Sequence, residues 1–178
     1  MLYREYDAAP VSTLDPPADH NDDPVRHEAE ALYTALREEA RPMGIVARFR
    51  ALPTGRKMLG QCAPDVQATI LQIGCEEIQG FAVRGGVGES RAYLARDVIG
   101  ALLRRRIAAS PRRVVAVLNA CASVQASYQH WIPIRSLLRL ISKPPTPDEV
   151  DALRRLQFRL EQTPSAEAGG LSSASTSC

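Results

Sequence analysis

The chain has 178 residues, of which 45% are hydrophobic, 24% are charged and 5% are aromatic. This length fits one domain with a real core, and a core built mostly from Leu, Ile, Val and Ala favours packed helices. The formal net charge of +2 does not by itself imply a polyanionic partner, because binding to nucleic acid requires several basic side chains on one face.

The two ends of the chain differ in composition from the middle. Residues 1–22 are acidic and contain prolines without apolar periodicity, which predicts a disordered arm. Residues 163–178 are rich in serine and predict a disordered tail. We expect a single helical domain over residues 23–162. No long apolar run or charged-then-apolar leader is present, so we expect a cytoplasmic protein that is neither exported nor inserted in a membrane.

The first predicted helices follow the acidic arm. Asp23 can cap a helix that starts at Pro24 and reaches about Arg41. A second, short helix is predicted over residues 43–52. The predicted inward face of this second helix comprises Ile45, Val46, Phe49 and Leu52.

A third helix is predicted after a turn at residues 53–55. Pro64 and Asp65 suit its first turn, and apolar residues recur at helical spacing behind them. The Gly-rich stretch 80–88 is predicted to break this helix and to form the longest internal loop.

The stretch 90–161 carries the clearest pattern and is predicted to organise the fold. Ser90 is expected to cap a long helix with a wide apolar stripe. After it, the hinge over residues 104–113 contains Ser110-Pro111, which suits the start of the next helix. Two helices joined by so short a turn should lie roughly antiparallel. The residues expected to face solvent on the first of these helices are Arg91, Arg96 and Asp97.

Two further helices are predicted behind this pair. One starts near Trp131, with Pro133 tolerable only in its first turn. The other starts at Thr146, where the spacing to Glu149 is typical of a capping box in which each side chain accepts the other residue's backbone amide. These helices complete an all-α fold.

Several segments of the second half share a pattern with known helical repeats. The segments are Tyr93-Leu94, 102–107, Ser110-Pro111, Leu118, 131–134, Leu137-Leu138 and 147–156. This pattern resembles HEAT-like helical repeats of large bacterial proteins. The resemblance implies stacked antiparallel helix pairs whose exposed ridge or groove contacts another macromolecule, and it implies no catalytic residue. No repeat of fixed period is visible, so a compact helical bundle is the alternative.

Basic side chains concentrate in the second half of the chain. Residues 102–159 hold eleven basic and three acidic residues, whereas residues 1–23 hold one basic and six acidic residues. Guanidinium groups on one face favour contact with phosphates or an acidic partner, and a solvated surface is the alternative interpretation. Trp131 is expected to anchor helix packing, and a partly exposed Trp is also typical of an interface. The candidate partner-binding residues are Arg104, Arg105, Arg106, Arg112, Arg113, Trp131, Arg135 and Arg139.

The sequence offers little support for catalysis. The cysteines have no zinc-site spacing, the Gly-rich stretch completes no phosphate-binding motif, and we predict no cofactor, metal or catalytic residue. An enzyme would need a pocket in which Arg84, Glu89 or His130 converge. We therefore predict a protein-interaction or adaptor module. The alternative is a nucleic-acid-associated regulator that uses the Arg-rich face.

Overall fold

The computed structural model describes residues 23–162, and this part of the chain is all α. Its α-helices are α1 (Pro24–Ala40), α2 (Pro53–Gln61), α3 (Pro64–Val83), α4 (Glu89–Leu103), α5 (Pro111–Ser123), α6 (Ala126–Gln129), α7 (Ile134–Leu137) and α8 (Pro147–Glu161). Short 3-10 helices cover Arg41–Val46, Phe49–Ala51 and Leu138–Leu140. No strand occurs between residues 23 and 162, which confirms the predicted fold class. The predicted arm, 1–22, and tail, 163–178, lie outside the described residues.

Helix α3 is the centre of the structure. Helices α1, α4 and α5 all pack against it, and α8 packs against α5. Because it has neighbours on several sides, α3 is apolar around most of its circumference. Its buried residues are Val66, Ala68, Thr69, Ile70, Leu71, Ile73, Gly74, Cys75, Ile78 and Phe81. The element that organises the fold therefore precedes the stretch 90–161 that the sequence favoured.

A single cluster of buried apolar side chains runs from α1 to α8. Leu36, Ile70, Ile99 and Leu118 are fully buried within it, and each such side chain contributes about 1.5–3 kcal/mol. Gly74 lets α3 and α4 approach closely, because a Cβ atom added there would lie 3.0 Å from a side-chain carbon of Ile99.

The hinge between α4 and α5 is tied to the first turn of α3. The Ser110 backbone N–H donates to Asp65 Oδ1 at 2.6 Å, and the Ser110 hydroxyl donates to Asp65 Oδ2 at 2.8 Å. Ser110 does occupy the N-cap position of α5, but its side chain makes no capping bond to that helix. The two helices beside the hinge both use α3 as their principal packing partner.

The predicted second helix is replaced by two separate 3-10 turns. Gly44 lies inside the first of them, Arg41–Val46, and adopts φ +57°, a conformation that interrupts the helix. Ile45 and Val46 are consequently 58% and 71% exposed, so the prediction that they face inward is wrong. Phe49 is buried as predicted, and its backbone N–H donates to Asp97 Oδ2 at 2.5 Å. Asp97 was expected to face solvent, but it holds this turn against α4.

Three predicted boundaries are also wrong. Helix α2 begins at Pro53, within the stretch predicted as a turn. Helix α3 continues through Gly80 to Val83, because Phe81 is buried and its packing outweighs the low helix propensity of glycine. The N-cap of α4 is Gly88 rather than Ser90.

The segment 126–140 is less regular than the sequence predicts. Trp131 lies in a turn after α6, and only a short α7 and a 3-10 turn follow Pro133. Proline lacks a backbone donor and restricts the residue before it, so one continuous helix cannot form across this position.

The predicted capping box at the start of α8 is confirmed. Thr146 Oγ1 accepts from the Glu149 N–H at 3.3 Å, and Glu149 Oε2 accepts from the Thr146 N–H at 2.8 Å. Glu149 is fully buried, and its Oε1 also accepts from the backbone N–H and hydroxyl of Ser142, both at 3.0 Å. The side chain therefore fastens the preceding loop as well as the helix start.

Candidate interaction surface

Trp131 lies at the centre of an aromatic cluster built from three helices. Its ring stacks on Tyr93 of α4, with centroids 5.3 Å apart and planes inclined by 23°. Phe81 of α3 stacks on it at 6.0 Å, and Tyr128 of α6 contacts it edge to face at 5.3 Å. Such pairs hold ring orientations in addition to burying area. Trp131 remains half-buried, so part of a rigidly held ring faces solvent.

Arg96 covers the same cluster. Its guanidinium carbon lies 4.8 Å from the centroid of the Tyr93 ring and 5.4 Å from that of Trp131. Both distances are within the range of a cation–π interaction. The prediction that Arg96 faces away from the fold is therefore wrong. The spacing of Tyr93 and Arg96, three residues apart on a helix, was the available sequence signal.

A depression of about 330 Å³ adjoins the exposed part of the cluster. It lies between α4 and the segment that carries α7, and it brings together two of the predicted residues, Arg104 and Trp131. Arg96, Asp97 and His130 also contribute to its walls. The carboxylate of Asp97 accepts a hydrogen bond from the Phe49 N–H, and two guanidinium groups, those of Arg96 and Arg104, outnumber it in the lining of the depression.

Five of the predicted arginines are exposed and have no internal partner. Their side chains make no ion pair or hydrogen bond with any residue between 23 and 162. These five are Arg104, Arg106, Arg112, Arg135 and Arg139. Their guanidinium groups are available to an external anionic group.

The other two predicted arginines stabilise the fold. Arg113 Nη2 lies 2.6 Å from the carboxylate of Asp23, and the Arg113 side chain is 12% exposed. The hydrogen bond from Arg113 lowers the pKa of Asp23 against the opposing effect of burial. Arg105 Nη1 donates to the backbone oxygen of Leu59 at 2.6 Å, which joins the hinge to α2.

The residues considered for catalysis do not converge. His130 lies in the depression beside Trp131, whereas Arg84 lines a groove between α1 and α3. Burial raises the pKa of the Cys75 thiol, and it raises that of Cys121 to about 12. Neither thiol is an activated nucleophile. Within the part of the chain that the structure describes, no group of His, Cys, Asp and Glu has the arrangement of a metal site.

No protein-family model, curated protein or solved structure matches this chain. Among the helices of residues 23–162, none combines the length and the apolar character needed to cross a membrane. The resemblance to HEAT-like repeats is not tested by these comparisons and stays a prediction.

Proposed function

We propose that this protein is a cytoplasmic interaction or adaptor module whose contact surface comprises Trp131 and the adjoining depression. The proposal rests on the environment of Trp131, whose ring contacts neighbours from three helices and is still partly exposed to solvent. A side chain whose orientation is fixed before binding loses little conformational entropy when a partner covers it. Aromatic and arginine side chains of this kind dominate the binding free energy of many interfaces.

The charges beside Trp131 indicate the chemistry of the partner. Arg104 is exposed and unpaired within the described chain, and Arg96 extends over the aromatic rings. Opposite charges across an interface favour association and orient the two surfaces. We infer a protein partner with acidic side chains around an apolar contact.

Charge reversal at Arg104 tests this function. We would capture proteins from the native cell on wild type, on Arg104→Glu and on the matched control Arg154→Glu, then quantify them by mass spectrometry. Arg154 is also exposed, but it does not line the depression and it pairs with Asp151. We expect one partner that the control retains and that Arg104→Glu loses by about tenfold or more.

Direct binding is then measured by the intrinsic fluorescence of Trp131, the one tryptophan of the chain. Addition of the purified partner should shift the Trp131 emission and weaken quenching by a soluble quencher. An unchanged emission spectrum at saturating partner, or equal capture by wild type and Arg104→Glu, contradicts the proposed surface.

The alternative function is binding to nucleic acid, which the five unpaired arginines favour. For this test Arg106 and Arg112 are better choices than Arg105 or Arg113, whose guanidinium groups bond within the fold. If each side chain contacts a phosphate, Arg106→Ala and Arg112→Ala should each reduce the slope of log affinity against log salt by about one. Duplex DNA binding that is absent or independent of salt removes this alternative.

A further inference from the structure

The acidic arm, residues 1–22, joins the described fold at Asp23, beside the hinge of residues 104–113. The Asp23 carboxylate lies 2.6 Å from Nη2 of Arg113, which belongs to the first turn of α5. The side chains of Asp23 and Arg113 are 20% and 12% exposed, so this ion pair is largely shielded from solvent. Because Asp23 directly follows the arm, the pair holds the end of the arm at the start of α5.

Two arginines of the same hinge have no acidic partner in the described chain. Arg112 precedes Arg113, and Arg106 is seven residues from it. Both are exposed, and neither pairs with a carboxylate between residues 23 and 162. The first turn of α5 contains no acidic residue, so the charge of Arg112 opposes the helix dipole without compensation from that turn. A carboxylate placed there would be attracted by the arginine and by the helix terminus alike.

The arm carries the charge that these arginines lack. Residues 1–22 contain five carboxylate side chains against one arginine and no lysine. Three of the five, Asp15, Asp19 and Asp22, fall in the eight positions nearest the fold. Asp22 adjoins Asp23 just as Arg112 adjoins Arg113, and adjacent Cα atoms are about 3.8 Å apart. The observed ion pair therefore brings the next carboxylate close to the next guanidinium group.

We propose that the acidic arm binds in cis to the hinge, where the carboxylates of Asp15, Asp19 and Asp22 pair with the guanidinium groups of Arg106 and Arg112. The seven residues from Arg106 to Arg113 span at most about 25 Å, and eight extended residues of the arm reach about 26–29 Å. Attachment through a short stretch of chain gives such carboxylates an effective concentration of about 1 mM. Contacts too weak to hold a free peptide therefore form within the chain.

The bound arm competes with external anions for the hinge. Exposed ion pairs are individually weak and are screened by salt, so no single contact fixes the arm. A ligand with many closely spaced anionic groups displaces it, whereas an isolated anion does not. The arm thus limits which ligands reach Arg106 and Arg112. This inference does not depend on the surface around Trp131.

The first test compares the arginine Nε–Hε NMR signals of the wild-type full chain with those of a full-length variant that carries Asp15→Asn, Asp19→Asn and Asp22→Asn. We expect the signals of Arg106 and Arg112 to differ between the two proteins. Raising the NaCl concentration from about 50 mM to about 500 mM should move the wild-type signals toward those of the variant, because salt screens the charge pairs.

Two controls show whether the effect is specific to the arm and to the hinge. A variant with Glu38→Gln, Asp151→Asn and Glu161→Gln removes the same amount of charge from exposed positions outside the arm and should leave both hinge signals unchanged. Arg135 and Arg139 are equally exposed and unpaired in the described chain, but they lie outside the hinge. Their signals should not respond to neutralisation of the arm.

The second test measures cleavage of the arm by an endoprotease that cuts before aspartate. In the variant Arg106→Gln/Arg112→Gln, cleavage before Asp15 and Asp19 should be about threefold faster than in wild type at about 50 mM NaCl. The two rates should become equal at about 500 mM NaCl. Both substituted arginines are exposed, and the NMR comparison carries the test even if this variant does not fold.

Three results overturn the proposal. The first is that neutralisation of the arm leaves the signals of Arg106 and Arg112 unchanged. The second is that Arg135 and Arg139 respond as strongly as the hinge arginines, because the arm would then have no preferred site. The third is equal cleavage of wild type and of a folded Arg106→Gln/Arg112→Gln variant at low salt.

Discussion

Removal of the Glu149 side chain should be among the most destabilising single changes at the start of α8. This carboxylate accepts three hydrogen bonds, two from Ser142 and one from the Thr146 N–H. In Glu149→Ala the two backbone donors and one hydroxyl lose their acceptor at once. The helix start and the preceding loop are then no longer joined by a side chain.

The size of the effect follows from those three bonds. Hydrogen bonds to a charged group contribute about 1.5–3 kcal/mol each when they are well buried. The donors here are partly buried and water can replace some of the lost bonding, so about 1 kcal/mol per bond is the better estimate. We therefore expect Glu149→Ala to lower the free energy of unfolding by about 3 kcal/mol, which corresponds to a fall of about 10 °C in melting temperature.

Urea unfolding followed by far-UV circular dichroism measures this difference. The matched control is Asp148→Ala, since Asp148 lies in the same first turn of α8 but is exposed. The control should cost only about 0.5 kcal/mol, because it loses a favourable charge at the helix start and no buried bond. If Glu149→Ala and Asp148→Ala destabilise the protein equally, the buried hydrogen bonds of Glu149 do not stabilise the fold as argued, and this reasoning is refuted.

The same residue gives the protein a dependence on pH. Burial raises the pKa of Glu149, but the hydrogen bonds from Thr146 and Ser142 outweigh burial and leave it below its ordinary value of 4.5. A lowered pKa in the folded state means that the carboxylate stabilises the fold above its ordinary pKa and that this contribution is lost as the pH falls through the folded-state pKa. The stability difference between wild type and Glu149→Gln should therefore shrink below about pH 4.5. A constant difference down to about pH 3 contradicts this reasoning.

Two further predictions concern packing and thiol reactivity. Gly55→Ala should destabilise the protein by about 3 kcal/mol, because the new Cβ would overlap the backbone oxygen of Phe49, whereas Gly60→Ala meets no neighbouring atom and should stabilise α2 by about 0.5–1 kcal/mol. Urea unfolding of the two variants measures both changes in the free energy of unfolding. If Gly55→Ala leaves the stability unchanged, the close approach of residue 55 to the Phe49 backbone oxygen is contradicted. Cys75 and Cys121 should react with a thiol reagent only after denaturant is added, because burial raises the pKa of both thiols. Rapid labelling of either cysteine in the native protein, followed by mass spectrometry, contradicts that expectation.

Local signals in the sequence predicted the helix starts best. Asp23 caps α1 by accepting from the Val25 N–H, and the capping box of Thr146 and Glu149 is complete. Each of these caps joins residues two or three apart in the sequence, so it can be predicted without knowledge of tertiary contacts. The apolar spacing of α4 and α5 likewise predicted both helices from the sequence.

Local sequence signals gave the wrong prediction at two glycines. Glycine at position 80 normally ends a helix, but burial of Phe81 extends α3 past it. Ile45 and Val46 have helical spacing, but Gly44 interrupts the turn and both are exposed. At Gly80 a contact from a distant segment outweighed the local preference, whereas at Gly44 the backbone conformation of a single residue ended the helical pattern.

The sequence predicted only part of the candidate surface. The sequence identified Trp131 and Arg104, which the structure brings into one depression. It did not identify Arg96, and it grouped Arg113 with arginines that remain free. An arginine-rich sequence does not indicate which guanidinium groups will meet internal acceptors, because those acceptors come from segments far away in the chain.

By itself, the sequence determined that residues 23–162 form an all-α fold and where several of the helices begin, because composition, apolar spacing and caps act over one or two turns. Only the tertiary structure decided that α3 is the shared packing partner, that Asp65 secures the hinge, and that Arg26 pairs with Glu76. These contacts join residues from separate helices, and burial strengthens them by excluding water. Their partners are fixed by packing, which no local pattern encodes.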